Sequence, residues 1–222
     1  MNPLLPALVI SAALAIAAAP WALAAPLLAF VFKPLATLIV IAHAWRRGGD
    51  TPAVRRWVLA GLTCSLAGDV ALLWPARGFL PGLVSFLLAH LAYLVAFTRV
   101  QRLAARPLAF AAYALLAGAI LWRLWPAVPA ALRAPVAAYV LCLGAMAAQA
   151  GVLALAGAPR GGVLALGGAL FMASDTLLAV DRFAAALPLA SLWVLATYWA
   201  AQWCIASWLA PPRSPDRSKK EA

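Results

Sequence analysis

The sequence predicts an all-α, polytopic membrane protein with eight transmembrane helices and both termini in the cytoplasm. Apolar residues make up 67% of the 222 residues and charged residues only 10%, whereas a soluble domain is about 45–50% apolar and about 25% charged. The mean hydropathy is +0.97. Because one membrane-spanning helix needs roughly 20 apolar residues, eight of them would occupy most of the chain. Any chemistry is therefore expected from side chains on the helices themselves.

Eight apolar stretches, separated by charged or Pro- and Gly-rich breaks, are the candidate spans. In chain order they are residues 4–20, 22–45, 57–75, 81–98, 107–125, 135–156, 163–181 and 188–210. The breaks are marked, in the same order, by Pro20, the arginines of 46–56, Pro75 to Pro81, the arginines of 99–106, Pro126 to Arg133, Gly157 to Gly162, and Arg182 to Pro188. Strands of a membrane barrel alternate in polarity and cross in about 10 residues. These long, uniformly apolar stretches therefore indicate helices.

The distribution of basic residues predicts the topology. With the N-terminus inside, the inner segments carry twelve of the seventeen basic residues and the outer segments carry four. This asymmetry predicts that both termini are cytoplasmic. We expect residues 1–210 to form one membrane domain and residues 211–222 to form a basic, disordered tail. The apolar run ending at Ala22-Leu23-Ala24 can also be read as a signal-peptidase site, although no Lys or Arg precedes it.

Charge and cysteine usage exclude other classes of protein. The net charge of +11 is spread over loops, which is typical of topology control and of contact with anionic lipid headgroups rather than of nucleic-acid binding. The three cysteines, Cys64, Cys142 and Cys204, lie in apolar runs and lack the spacing of metal ligands. We expect no metal and no cofactor.

Polar residues inside the predicted spans indicate a functional site, because an ionisable group in the hydrocarbon region costs a few kcal/mol or more. His43 lies at a span end and is expected at the membrane interface. Counting 1.5 Å per residue, Asp69 and Asp175 lie about 9 Å from the outer ends of their spans. The deeper polar residues lie no more than about 21 Å from the outer ends of theirs. The set comprises Lys33, Asp69, His90 and Asp175, with Tyr93, Tyr139, Tyr198 and Gln202 as weaker members. Such a layer predicts a cavity that opens toward the outer leaflet.

Spacing within the helices supports this layer. Residues three or four apart share a helix face, as do Ser65 and Asp69, His90 and Tyr93, and Tyr198 and Gln202. The glycines Gly68, Gly167 and Gly168 near the two carboxylates are expected to permit close helix approach, whether for packing alone or to shape a pocket. For Tyr93 and Tyr139 a packing or interface role is the alternative.

The charge balance of the layer suggests acid–base chemistry. Two carboxylates, Asp69 and Asp175, face one ammonium group, Lys33, so we expect one Asp to hold a proton near neutral pH. A protonated acid beside an ionised carboxylate suits reactions with an oxocarbenium-like transition state. The alternative is a Lys–Asp pair that only holds helices together.

Six short motifs resemble the YhhN family of bacterial membrane proteins and its eukaryotic relatives, the transmembrane lysoplasmalogenases. They are FKPL around Lys33, LAGLTCSLAGD ending at Asp69, AHLAY with His90 and Tyr93, GGALFMASD ending at Asp175, DRF at Asp181, and TYWAAQ ending at Gln202. Each motif is weak alone, but their order and intervals are specific. The fifth span and the tail carry no such motif.

The resemblance implies an eight-helix hydrolase in the bacterial inner membrane. Its substrate would be a lysoplasmalogen, a lysophospholipid whose vinyl ether bond is cleaved to a fatty aldehyde and glycerophospho-ethanolamine or -choline. On this reading Asp69 and Asp175 are the catalytic pair, with either one as the acid. Lys33 would contact the phosphate or stabilise one ionised Asp, and His90, Tyr198 and Gln202 would orient water or glycerol oxygens.

Two other functions remain open from the residues. A proton-coupled transporter also uses intramembrane Asp, Lys and His, but we see no inverted repeat. A non-catalytic lipid-binding protein would keep the cavity and should tolerate loss of one Asp. The sequence contains no coiled coil from which to predict an oligomeric state.

Overall fold

The computed structural model describes residues 3–211. In this part of the chain the elements are eight helices and no strands, which confirms the all-α prediction. The helices are α1 (Leu4–Ala17), α2 (Pro26–Trp45), α3 (Pro52–Ala71), α4 (Pro75–Thr98), α5 (Pro107–Leu124), α6 (Ala130–Leu155), α7 (Gly161–Ala179) and α8 (Ala190–Trp208). A short 3₁₀ turn follows α5, and α7 continues as one π-helical turn over Val180–Ala184.

Several helices are long and apolar enough to cross a membrane, as an integral membrane protein requires. Five meet this condition by length and composition: α2, α4, α5 with its 3₁₀ turn, α6, and α7 with its π turn. Helix α1 is apolar but only 14 residues long. Eight crossings and cytoplasmic termini stay a prediction, and the predicted tail lies outside the described residues from position 212 onward.

The predicted starts of the third, fourth and sixth spans, at residues 57, 81 and 135, were several residues too late. Helices α3 and α4 begin at Pro52 and Pro75, because proline fits the first helical turn, where its missing N–H is not needed. Pro81 and Pro135, which were predicted to be the first residues of the fourth and sixth spans, lie inside α4 and α6.

Six of the helices pack into a closed ring. Helix α2 contacts α3, α3 contacts α4, α4 contacts α6, α6 contacts α7, α7 contacts α8, and α8 returns to α2. Helix α1 packs outside the ring against α2 and α8, and α5 packs outside it against α6. Every polar residue singled out within the spans belongs to a helix of this ring, so the ring determines which of them meet.

Glycines permit the closest helix contacts in the ring. A Cβ atom on Gly168 of α7 would lie 3.1 Å from the Cα of Ala147 in α6, and one on Gly167 would lie 3.2 Å from the carbonyl oxygen of Ala201 in α8. A Cβ atom on Gly68 of α3 would lie 2.6 Å from the ring of Phe86 in α4. The prediction that these glycines allow close approach is confirmed.

Gly168→Leu is expected to lower the stability of the fold by about 1–3 kcal/mol or more, because the added side chain meets the backbone of α6. Thermal unfolding of the purified protein in detergent measures this change. Gly162→Leu on the same helix is the matched control, since no atom lies within 4 Å of a Cβ atom built there. Equal melting temperatures for the two variants would contradict the packing argument.

Two arginines fix the C-terminal end of α8. Arg47 donates hydrogen bonds to the carbonyl oxygens of Leu209 at 2.9 Å and Ser207 at 3.0 Å, and Arg160 donates to Ser207 at 2.8 Å. These cations satisfy carbonyls that have no partner within the helix and complement its dipole. The α2–α3 loop therefore lies at the same end of the ring as the end of α8.

The side chain of His43 is covered by protein rather than open to water or headgroups, and its position at the membrane interface stays a prediction. Its side chain is buried, is hydrogen bonded to Ser207 at 3.0 Å and stacks on Trp203 with 3.9 Å between ring centroids. The sequence position near the end of α2 did not reveal that α8 covers this face.

Candidate active site

The carboxylate of Asp69 lies at a junction of α2, α3 and α8. Its side chain is 2% exposed. Its Oδ2 atom accepts hydrogen bonds from the hydroxyls of Thr37 at 2.5 Å and Tyr198 at 2.8 Å. Its Oδ1 atom lies 3.8 Å from the Lys33 ammonium nitrogen. Two hydroxyl donors and a cation thus surround one buried carboxylate.

Thr37 was missed by the sequence analysis. Its Oγ1 atom accepts a hydrogen bond from the indole N–H of Trp199 at 3.2 Å and donates to Asp69. The indole therefore orients the threonine hydroxyl toward the carboxylate. Thr37 follows Lys33 by four residues, so both side chains share one face of α2. That spacing was the signal that could have found it.

The second carboxylate, Asp175, lies where α7 faces α4 and α6. Its Oδ2 atom accepts a hydrogen bond from the Tyr139 hydroxyl at 2.5 Å and lies 3.9 Å from the His90 Nε2 atom. The Asp175 side chain is 12% exposed, whereas that of His90 is fully buried. Asp175 has a single hydroxyl donor and no lysine partner among the described residues, so its surroundings differ from those of Asp69.

Aromatic rings connect the two carboxylate clusters. Phe171, one helical turn before Asp175, has its ring centroid 4.6 Å from that of His90 and 5.6 Å from that of Tyr198. His90 belongs to the Asp175 cluster and Tyr198 to the Asp69 cluster, so Phe171 contacts both. The two carboxylate clusters are therefore connected through Phe171.

A further polar group lies one helical turn from these clusters. The Tyr93 hydroxyl donates to the side-chain oxygen of Gln202 at 2.6 Å. Four buried side-chain atoms in the described part of the chain have no hydrogen-bond partner: Ser65 Oγ, His90 Nδ1, His90 Nε2 and Gln202 Nε2. Buried polar atoms are normally paired, so this concentration of unpaired atoms beside the carboxylates is unusual.

An apolar cavity of about 80 Å³ adjoins Asp175. Helices α4 to α7 contribute to its lining together with Leu72, which directly follows α3, and apart from Asp175, Tyr139 and Thr176 its lining residues are apolar. The lining extends to Leu124 at the end of α5 and to Phe183 in the π turn after α7. The cavity thus runs from one carboxylate toward the end of the ring where α5 and α7 finish. Its apolar lining suits a segment of a hydrocarbon chain.

The structure brings the predicted site residues into three connected groups. Lys33, Asp69 and Tyr198 form one group, His90, Tyr139 and Asp175 form the second, and Tyr93 with Gln202 forms the third. Asp69 lies two residues before the end of α3, and His90 lies fifteen residues after the start of α4. Their depth in the membrane stays a prediction. No group of three or more potential metal-binding side chains occurs within residues 3–211.

Comparisons with known proteins agree with the resemblance. The model of the YhhN family matches residues 28–209. Lysoplasmalogenase TMEM86B of Sus scrofa is 38% identical over 178 residues, covering 76% of this chain and 69% of the relative. The human protein of the same name is 35% identical over 190 residues, covering 84% of this chain and 76% of the relative.

A bacterial relative covers a shorter region. The lysoplasmalogenase of Mycobacterium tuberculosis is 35% identical over 136 residues, which is 58% of this chain and 51% of the relative. No solved structure matches the chain significantly.

Proposed function

The chain belongs to the YhhN family, and on that premise we propose that it is a lysoplasmalogenase that hydrolyses the vinyl ether bond of lysoplasmalogens. The observation that supports this proposal most directly is the pair of differently surrounded carboxylates beside an apolar cavity. The relatives named lysoplasmalogenase favour this function over the transport of a small substrate. The products are a fatty aldehyde and a glycerophospho-ethanolamine or -choline.

We assign the general acid to Asp175, because it is the carboxyl group that lines the apolar cavity. Tyr139 donates to its Oδ2 atom, which leaves Oδ1 for the acidic proton. In the first step this proton moves to the β-carbon of the vinyl ether, and the electron pair of the double bond forms the new C–H bond. The α-carbon and the ether oxygen then share the positive charge of an oxocarbenium ion.

Asp69 is the electrostatic stabiliser of this cation. Its carboxylate is fixed by Thr37, Tyr198 and Lys33, so it requires little reorganisation when the charge forms. Water then adds to the α-carbon and gives its proton to the Asp175 carboxylate, forming a hemiacetal. The bond between the α-carbon and the ether oxygen then breaks: Asp175 gives a proton to the departing glycerol oxygen and takes one from the hemiacetal hydroxyl, which becomes the aldehyde carbonyl. The role of Lys33 on this assignment is to hold Asp69 ionised.

The proposed location is the bacterial inner membrane, with both termini cytoplasmic and the cavity in the outer half. The supporting argument is the distribution of basic residues, twelve on the inner side against four on the outer side. Cysteine-accessibility labelling next to Asp69 and Asp175 tests the placement. Reaction with an impermeant reagent added outside is expected, and reaction only from the inside would contradict it.

Aldehyde release by the purified protein in detergent tests the proposed function. The substrate is a 1-alkenyl lysophospholipid, and the matched controls are the 1-alkyl and 1-acyl lysophospholipids of equal chain length. We expect aldehyde only from the alkenyl lipid, because only its double bond can be protonated to an oxocarbenium ion. No aldehyde from a folded protein would overturn the proposal, and proton-coupled flux in liposomes would be measured next.

Ala179→Phe is expected to raise the KM for long-chain substrate by about tenfold, since one or two lost methylene contacts account for 1–3 kcal/mol. Ala179 lines the cavity of about 80 Å³, so an added phenyl ring takes the place of the chain. Steady-state kinetics with short and long alkenyl chains measure the change. Ala173→Phe, on an exposed face of the same helix, is the control. An equal effect of both variants would contradict the cavity as the chain site.

Thr37→Val is expected to lower kcat by about 10–100-fold with little change in KM, because the carboxylate of Asp69 loses its shortest donor and its fixed orientation. Thr37→Ser keeps both hydrogen bonds and should retain most of the wild-type kcat. Thr98→Val is the control for loss of a threonine hydroxyl, since Thr98 bonds only the carbonyl of Val95 at the far end of α4. A Ser variant as impaired as the Val variant would indicate a packing role instead.

A further inference from the structure

Hydrolysis within a membrane requires a place where water is held. Water is scarce in the hydrocarbon region, yet each turnover of the proposed reaction consumes one molecule. The protein must therefore bind water next to the carboxylates with polar atoms that it does not use for its own packing. This requirement rests on the proposed function. The unpaired buried atoms of the ring interior are the candidates to bind this water.

The unpaired atoms belong to three helices that meet around Tyr93. Gly61 and Ser65 are on one face of α3, and a Cβ atom on Gly61 would touch the ring of Tyr93 at 2.3 Å. The Tyr93 hydroxyl in turn bonds Gln202 of α8. His90 is three residues from Tyr93 on α4, and both rings contact Phe171, at centroid distances of 4.6 and 6.5 Å. Tyr93 thus lies against the helices that carry Ser65 and Gln202 and on the same face of α4 as His90.

The distance between His90 and Asp175 is consistent with a bridging molecule. The Nε2 atom of His90 lies 3.9 Å from Oδ2 of Asp175, which is too long for a direct hydrogen bond and within the span that one water can bridge. Within the described residues neither nitrogen of His90 has a hydrogen-bond partner, and its side chain is fully buried. An imidazole in this position can donate to a water from one nitrogen or accept from it at the other.

We propose that Ser65, His90 and Gln202 form a buried water site beside Asp175, and that the water between His90 and Asp175 is the one that adds to the oxocarbenium ion. The site explains why four polar atoms are left unpaired in an otherwise packed interior, since buried water commonly pairs such atoms with about three hydrogen bonds. The proton of this water passes to Asp175 as the oxygen bonds to the α-carbon. His90 is then a positioning residue for the nucleophile.

Radiolytic labelling tests the site without substrate. The wild-type protein in detergent is irradiated in water enriched in the heavy oxygen isotope, and oxidised side chains are identified by mass spectrometry. Phe171 and Phe97 are equally buried, but Phe171 contacts His90, whereas Phe97 packs on Trp208 and stacks on Tyr93 at 6.4 Å between ring centroids. We expect labelling of Phe171 to exceed that of Phe97 by about an order of magnitude, because radicals form from water held at its ring.

Variants separate the water site from general loosening of the fold. His90→Leu and Gln202→Met are each expected to reduce labelling of Phe171 to the level of Phe97 while the melting temperature shows a folded protein. Equal labelling of Phe171 and Phe97 in the wild type would overturn the water site, whatever the activity. Strong labelling of Phe171 without any aldehyde release would leave the water site standing and remove the proposed function instead.

Discussion

Asp175→Asn is expected to reduce aldehyde release by about 10²–10⁴-fold, the contribution that a positioned general acid makes to a reaction rate. The amide is nearly the same size as the carboxyl group, and its oxygen can still accept the hydrogen bond that the Tyr139 hydroxyl donates to Asp175 at 2.5 Å. It cannot transfer a proton to carbon. Turnover should therefore fall through kcat, while the apolar cavity and the KM for the lipid change little.

Asp50→Asn is the matched control, because Asp50 is an exposed carboxylate in the α2–α3 loop at the far end of the ring from the cavity. Its turnover should equal that of the wild type. A substrate whose vinyl ether carries an electron-donating group at the α-carbon needs less acid assistance, so it should recover more activity in the Asp175 variant than the natural substrate does. Retention of full activity in Asp175→Asn would contradict the assignment of the acid.

The sequence was most informative where a residue type conflicts with its environment. Lys33, Asp69 and Asp175 are expensive in hydrocarbon, so their presence in apolar stretches predicted a site before any contact was known. The spacing of His90 and Tyr93 and of Tyr198 and Gln202 also predicted which side chains face the same way. These inferences depend only on helix periodicity and on the energetics of charge in lipid.

The sequence was least informative where partners come from distant helices. The buried position of His43 depends on α8, and the role of Thr37 depends on the Trp199 indole, 162 positions later in the chain. A threonine in an apolar helix is unremarkable by itself, because its hydroxyl can bond within the helix. Helix starts were also misplaced, since proline ends some helices and begins others, and only the local backbone decides between them.

Asp69→Asn and Lys33→Met are each expected to destabilise the protein by about 3–5 kcal/mol, because each leaves one buried charge without its partner. The two groups lie 3.8 Å apart, with side chains 2% and 12% exposed. The double variant removes both charges, so it should regain most of the lost stability. Unfolding of the wild type, the two single variants and the double variant under one set of detergent conditions gives the interaction energy between Lys33 and Asp69 directly.

In this double-mutant cycle, activity and stability should change differently in the double variant. The double variant regains stability but lacks the carboxylate that stabilises the oxocarbenium ion, so its turnover should stay as low as that of Asp69→Asn. A pair that served only to hold helices together would instead recover activity along with stability. Additive losses in the double variant, with no interaction energy, would show that Lys33 does not compensate the charge of Asp69. Lys33 would then be expected to bind the phosphate of the lipid. A comparison of the KM values of lysolipids with and without the phosphate group would detect this role.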